Sequence, residues 1–422
     1  MEKDVSELYE RCKRYRLNGN NNEALKCFND AIQYIIIRDN ISIFDTNFIK
    51  NVQPKYLDIA YKLLDEYSIF SYYTQSSRQN NLRIIDRMIF HKNIWNHVNI
   101  KLLTNNQRFY MDKLKYEYKK KILISHEEHY NELNPSIINT GKELIVNCRT
   151  SNFGVKPGGV YYAKTSDGLV NTKNYILKMD YKFNIISQKE VIDKSHRKKY
   201  NIRRIEGLED LIIFNYNDQL YGSCTLVDSN EKGLPQIGLC KLEESYDYYI
   251  INELTPMGLI HENRCEKNWL PFVNDNILSF VYNYSPMDII IPIKNYDHEF
   301  TGETELISST QSDLNFERFR GSAGPLKFKD NWLIVVHEVS WCSDNSRIYT
   351  HRYVLLDNNF NIIKLSNPWY FENHGLEFCR SMCDFDDNII LSCGIKDEEA
   401  WLYVVNKKEI WNSLEDIKKF YL

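Results

Sequence analysis

Two adjacent carboxylates, Glu209-Asp210, head a short apolar run, Leu211-Ile212-Ile213-Phe214. Charged side chains recur beside four other such runs. Arg149 follows Leu144-Ile145-Val146. Glu266-Lys267 precedes Leu270-Pro271-Phe272, and Tyr282-Asn283-Tyr284 follows it. Arg318, Arg320 and His337-Glu338 flank Trp332-Leu333-Ile334-Val335-Val336. Glu377 and Lys396-Asp397 flank Ile389-Ile390-Leu391. A carboxyl can pass a proton to or from a reacting oxygen, and guanidinium and ammonium groups suit phosphate oxygens. Carboxylates and cations converging on one pocket suit a hydroxyl-rich or anionic ligand.

Plain structural readings stand beside that one. A Glu-Asp pair at a strand start often makes a turn, with Asp accepting backbone hydrogen bonds. His337 at the end of an apolar strand reads equally as a satisfied core histidine, and Trp269 and Trp332 as packing residues. Other chemistries find less support. Cys379, Cys383 and Cys393 with His374 are loosely spaced for zinc. His126-Glu127-Glu128-His129 sets its histidines three apart, unlike the His-Glu-x-x-His signature. There is no Walker loop and no Gly-x-Gly-x-x-Gly, and Lys156-Pro157-Gly158-Gly159 reads as a turn. No metal and no cofactor are expected.

These residues must be positioned by two textures of chain. Before about residue 125 the pattern is helical. Ala24, Leu25, Phe28, Ala31 and Ile32 share one face after the polar turn Asn18-Gly19-Asn20-Asn21-Asn22, which resembles one tetratricopeptide-type repeat. Further helices are expected over 56–73, 78–92 and 106–122. The last carries the basic cluster Lys113, Lys115, Lys119, Lys120 and Lys121, read as a solvated face before a membrane or acidic-partner site. From 138 to 422 short apolar runs alternate with polar turns. Five similar strands start at Leu144, Leu211, Ile277, Trp332 and Ile389, about 55–67 residues apart. The stretches 176–185 and 353–362 share one hairpin form around Asp180 and Asp357. The expectation is an α+β multidomain chain: a small N-terminal α-helical domain over 1–125, then a five-bladed β-propeller over 138–422.

Composition narrows the function. With 53 Lys+Arg against 57 Asp+Glu in 422 residues, the net charge of −4 argues against a general nucleic-acid binder. No apolar run approaches the ~20 residues of a membrane span. The start, Met1-Glu2-Lys3-Asp4-Val5, lacks the apolar core of a signal peptide. A cytoplasmic protein with ten reduced cysteines is expected. Aromatics make up 14%, including 30 Tyr, which serves strands and also stacking on sugar rings or bases. The abundance of Asn and Ile points to an AT-rich genome such as that of a large DNA virus.

Taken in order, these motifs resemble the five-bladed propeller superfamily of β-mannoside phosphorylases (glycoside hydrolase family 130) and related mannosyltransferases. Gly207-Leu208-Glu209-Asp210 is similar to its Gly-x-Glu-Asp motif, and Glu266-Lys267-Asn268 with Pro271-Phe272 to its lysine-containing inner strand. Trp332 to His337 resembles its apolar strand ending in His. Leu355-Leu356-Asp357, Leu365-Ser366-Asn367-Pro368 and Cys393-Gly394-Ile395-Lys396-Asp397 resemble its last two blades. Arg320-Gly321-Ser322 and His351-Arg352-Tyr353 are similar to uncharacterised proteins that join a further module to this propeller.

The resemblance implies that Asp210 is the general acid of an inverting reaction. It implies an anion pocket of Arg149, Lys267 and His337, with Glu209, Glu377 and Asp397 on sugar hydroxyls and Tyr284 and Arg320 also in the substrate site. Where the family has Pro-Arg after Glu-Asp this chain has Leu211-Ile212, with Arg203 or Arg204 upstream as the compensating cation. Where it has His-Arg in unit three this chain has Tyr282-Asn283. Those losses favour an inverting glycosyltransferase using a sugar nucleotide or sugar phosphate donor and a glycan or glycoprotein acceptor. A non-catalytic glycan- or protein-binding propeller and a glycoside phosphorylase are the alternatives. The helical domain would recruit a protein partner.

Overall fold

The computed structural model describes residues 112–417 apart from 157–159, 201, 259, 261–263, 313–315, 317–318, 342–346 and 374, together with Arg11, Arg14, Tyr15 and Asn18. Apart from those four residues, the expected helical domain up to 111 lies outside the described residues. From 112 on, the expected α+β class is corrected: the chain is almost entirely β, with one α-helix, Lys407–Ser413, among these residues. The helix expected over 106–122 gives way to strands Asp112–Lys113 and Tyr118–Ile122.

Tertiary pairing decides that difference. Tyr118–Ile122 runs antiparallel to Glu399–Asn406, where Lys121 pairs with Glu399 and Lys119 lies 5.0 Å from the Trp401 ring centre. Local periodicity carries no trace of partners nearly 280 residues away. The basic cluster thus pairs internally: Lys113 and Lys119 reach Glu372, and Lys115 reaches Glu409.

Five antiparallel four-stranded meanders form the body, and in blades one and four further short strands extend the sheet to seven. Blade one is Asn131–Asn139, Leu144–Ser151, Val170–Met179 and Ile185–Asp193. Blade two is Glu209–Tyr216, Gln219–Leu226, Gln236–Lys241 and Leu254–Pro256. Blade three is Leu270–Asn274, Ile277–Tyr284, Met287–Lys294 and Phe300–Thr310. Blade four is Arg320–Phe328, Asn331–Trp341, Arg347–Leu356 and Ile362–Ser366. Blade five is Glu377–Phe385, Asn388–Ile395, Glu399–Asn406 and the early strand Tyr118–Ile122. First strands of neighbouring blades pack together, and the ring closes where Glu377–Phe385 meets Asn131–Asn139. This is the five-bladed propeller expected.

Turn chemistry sets the meander. Asn217-Asp218 and Asp275-Asn276 join first to second strands with every φ between 50° and 61°, the mirror-image turns that match strand twist. Asp180 and Asp357 each accept from two backbone N–H groups, of Lys182 and Asn184 and of Asn359 and Asn361, closing matched hairpins around left-handed Phe183 and Phe360. Four of the five expected repeat strands lie in second strands. Leu211 instead lies in a first strand, so the sequence repeat is one strand out of phase in blade two. The true second strand there, Gln219–Leu226, contains Gly222 and Ser223, which dilute its apolar run.

Alternation of inward and outward side chains gives each blade two apolar faces. Five buried clusters fill the seams, one between each pair of neighbours. Leu211, Leu226 and Ile251 meet Ile176 between blades one and two; Trp269 and Phe280 meet Phe214 between two and three. Trp332 packs with Phe272 and Phe360 between three and four, as its structural reading has it. Leu333 and Leu391 meet between four and five, and Leu177 and Leu402 between five and one. Phe280, fully buried, stabilises its seam by about 1.5–3 kcal/mol.

Candidate active site

The meander decides which residues can meet. First-strand starts and second-to-third-strand turns share one end of the ring, and the polar first-to-second turns occupy the other. Four first strands carry a bulge near that start: between Leu133 and Ser136, Glu209 and Ile212, Gly321 and Ala323, and Cys379 and Ser381. A bulge re-aims side chains next to a site. Here the bulges hold Asn134, Asp210, Ser322 and Arg380. Ser136 Oγ replaces the disturbed ladder, donating to the Leu211 carbonyl at 2.7 Å and accepting from Ile213 N at 3.2 Å.

A cavity of about 810 Å³ lies at this end. Arg149, Glu209, Asp210, Lys267, Tyr284, Arg320, His337 and Asp397, all chosen from the sequence, line it. Arg204 and Glu377 do not. Arg204, left-handed at φ 55°, is exposed and its guanidinium donates to the Asp167 carbonyl. It therefore does not stand in the cavity as the compensating cation that the resemblance implies. Glu377 is buried, and its carboxylate accepts the backbone N–H groups of Phe371, Glu372 and Asn373 at 2.7–2.9 Å, which makes it a loop anchor.

One wall is a carboxylate cluster around Arg149. Its guanidinium is 2.7 Å from Asp210 and 3.3 Å from Glu209. Burial works against the Arg149 charge, but Asp210, Glu209 and Asp397 outweigh it and raise its pKa. Burial would also raise Asp210. Arg149, Arg380 and a 2.9 Å hydrogen bond from Asn134 instead hold it down at about 2. Arg380 reaches the same residue from blade five, donating through Nε to the Asp210 carbonyl at 3.0 Å. Burial, with the Asp210 charge close by, raises Glu209 and pushes Asp397 up to about 6. Near neutrality Asp210 is ionised, while Asp397 can hold or release a proton. The arrangement is tight: a Cβ on Gly394 would sit 2.0 Å from Asn134 Oδ1.

The other wall is cationic and aromatic. Arg264, Lys267 and Arg320 line it. Burial and the nearby Arg264 charge lower the pKa of Arg320, a crowding of like charges that a bound anion relieves. Buried Glu266 accepts from Trp269 Nε1 at 3.3 Å and from Tyr282 Oη at 3.2 Å, fixing two rings in the lining. Tyr284 Oη is buried with no hydrogen-bond partner among the described residues. His337 stacks on Tyr349 with ring centres 5.4 Å apart, and its Nδ1 is 2.9 Å from Ser322 Oγ. Burial, His351 and Lys267 push its pKa well below 6.5, so its ring is neutral and meets a ligand by hydrogen bonding rather than by charge.

Asn134, Tyr161, Arg264, Arg347, Tyr349 and Arg380 complete the site and were not among the sequence candidates. The one signal available was the Lys156-Pro157-Gly158-Gly159 turn, which marks a hairpin ending in Val160-Tyr161-Tyr162. Among the described residues no group of three or more His, Cys, Asp or Glu side chains is arranged to hold a metal ion. His374, one of the residues weighed for zinc, lies outside them. Among the described residues no helix is long and apolar enough to cross a membrane.

No protein-family model matches the chain, and no curated protein matches it in sequence. Solved structures do. The β-1,2-mannobiose phosphorylase of Listeria innocua, in complex with β-1,2-mannobiose, is 13% identical over 69% of this chain and 94% of its own, with a TM-score of 0.45. MPT-4, a mannose phosphorylase from Leishmania mexicana in complex with a phosphate ion, is 11% identical over 75% and 94%, at 0.44. A GH130 structure from work on glycoside hydrolases that target β-1,2 mannosidic linkages in Candida mannan is 14% identical over 66% and 85%, at 0.44.

Proposed function

We propose that this protein is a carbohydrate-active enzyme of the glycoside phosphorylase type, transferring a glycosyl group between a glycoside and phosphate with inversion. One observation carries the reading: a carboxylate wall split in protonation faces a cationic, aromatic wall across one cavity. Carboxyl groups whose environments drive their pKa values apart take different roles. Asp397 delivers a proton to the leaving oxygen as the C1–O bond breaks. A phosphate oxygen forms the new bond to C1 from the opposite face. Asp210 stays ionised and balances the positive charge that develops on the sugar ring. Arg264, Lys267 and Arg320 hold the phosphate, supplying the charge lost with the family's arginines. That replacement favours phosphorolysis over a sugar-nucleotide transferase or a binding module. Tyr284 Oη suits a sugar hydroxyl.

The motif resemblance makes short β-mannosides the first substrates to try. Purified protein with mannosides and inorganic phosphate is followed by 31P NMR for a sugar 1-phosphate. Asp397→Asn should lower turnover about 10²–10⁴-fold, the span of general acid catalysis. Exposed Cys265 lines the cavity, so its alkylation, read by peptide mass spectrometry, reports occupancy. Protection of Cys265 by a mannoside without any sugar phosphate would replace this reading with glycan binding.

A further inference from the structure

A two-stranded hairpin, Phe153–Lys156 with Val160–Ala163, leaves blade one and joins no other sheet. Such a pair is marginal alone, so side chains must hold it. At its base Asn152 accepts from Asn171 N at 2.7 Å and donates to the Leu169 carbonyl at 3.0 Å. Buried Phe153 packs edge-on against Tyr161 with ring centres 5.3 Å apart. At the far side Tyr161 alone among the hairpin's described residues makes polar contacts with other blades: its Oη donates to Asp397 Oδ2 of blade five at 2.9 Å and accepts from Arg347 of blade four.

That chain has a direction. A phenol has one proton, and here Asp397 takes it, while the Arg347 guanidinium polarises the same hydroxyl. Coupled hydrogen bonds of this kind strengthen one another. Among the described residues no other hydrogen bond reaches the Asp397 carboxyl. Oδ2 is therefore tied and Oδ1 is left open.

We propose that Tyr161 is a positioning residue: it reaches across the cavity from blade one, fixes the Asp397 carboxyl through Oδ2, and leaves Oδ1 as the oxygen that exchanges a proton with a bound ligand. The ligand's part rests on the proposed function; the hold of Tyr161 on Asp397 does not. Other charges facing Asp397 come from Arg149 in blade one, Asp210 and Glu209 in blade two, Lys267 ahead of blade three, and Arg347 with the Tyr349 phenol in blade four. Asp210 and Glu209 favour the protonated carboxyl, and the cations and the Tyr161 donor favour the ionised one.

The test follows Asp397 directly. Full-length protein carries 13C-labelled aspartate, and the Asp397 signal is assigned by its loss in Asp397→Asn. In the parent protein it should titrate near about 6. Tyr161→Phe removes a donor to the charged form, so the midpoint should rise by about 0.5–1 pH unit. Tyr161→Leu, which also removes the donor, should move it the same way and serves if Tyr161→Phe fails to fold. Tyr162→Phe, on the same hairpin without this contact, should leave it in place. An unmoved midpoint in folded Tyr161→Phe overturns the proposal. If the midpoint moves but no glycoside is turned over, the proposed function fails and this inference stands. If both hold, the alkaline limb of kcat/KM rises with the midpoint.

Discussion

Arg149 and Arg352 are both buried arginines facing carboxylates, in blades one and four, and they behave in opposite ways. Arg352 is 1% exposed and Glu338, 3.3 Å away, is 4% exposed. It also donates to the Ser366 carbonyl at 3.0 Å. Burial outweighs this single carboxylate and lowers the arginine's pKa. Arg149 is as deeply placed, but Asp210, Glu209 and Asp397 share it, and its pKa rises. Its carboxylates sit in a cavity wall, partly open to solvent. Burial, with the Asp210 charge beside it, pushes Asp397 up to about 6 although Arg149, Arg347 and Lys267 pull it down. A buried pair away from the cavity holds structure, whereas a carboxyl at the cavity wall, raised by burial, retains a proton to give.

The largest effect should come from breaking the buried pair. Arg352→Met removes the cation 3.3 Å from buried Glu338 and should cost about 3–5 kcal/mol by urea unfolding at pH 7, most of it restored by adding Glu338→Gln. A cost below about 1 kcal/mol would mean that solvent reaches the pair.

Asp210→Asn should cost about 2 kcal/mol at pH 7. The folded pKa of about 2 lies below the unfolded value of about 3.9. The ionised form therefore stabilises the fold above about pH 3.9, and that stability is lost as pH falls through about 2. The parent-minus-variant difference should shrink over that window; a difference independent of pH would sink the assignment.

The smallest effect has the opposite sign. Asp397 has a folded pKa of about 6, above its unfolded value, so ionising it costs stability as pH rises from about 3.9 through 6. Asp397→Asn should raise stability at pH 8 by about 1 kcal/mol, its half-buried place letting solvent screen the rest. It should change nothing near pH 3.5. Asn also accepts the left-handed backbone there, φ 54°. A loss at pH 8 would make Asp397 a purely structural partner of Arg149.

The five-fold repeat and eight residues of the cavity wall could be picked from the chain, because hairpin turns and inner-strand ends have local signatures. Asn139-Thr140-Gly141, Asp275-Asn276 and Asp386-Asp387 marked first-to-second-strand turns, and Asp210, Lys267 and Asp397 could be picked by phase. Asn134 and Arg380 could not. They act through bulges, which shift register without any composition signal, and both act on a residue of another blade. The charge states of His337 and Arg149 were not legible for a related reason: they depend on burial and neighbours, which phase does not encode. Tyr118–Ile122 read as helix since its partner strand lies at the other end of the described chain.

That strand has a consequence in time. On the ribosome Lys121 is made 278 residues before Glu399. At about 5–20 residues per second it waits roughly 15–55 s for its neighbour. Until then Tyr118–Ile122 and each newly made outer blade present bare backbone to other nascent chains. The ring therefore closes late, by pairings that lie far apart in sequence. Of these exposed edges, Tyr118–Ile122 stays open longest, so the nascent protein's vulnerability to aggregation lasts longest there.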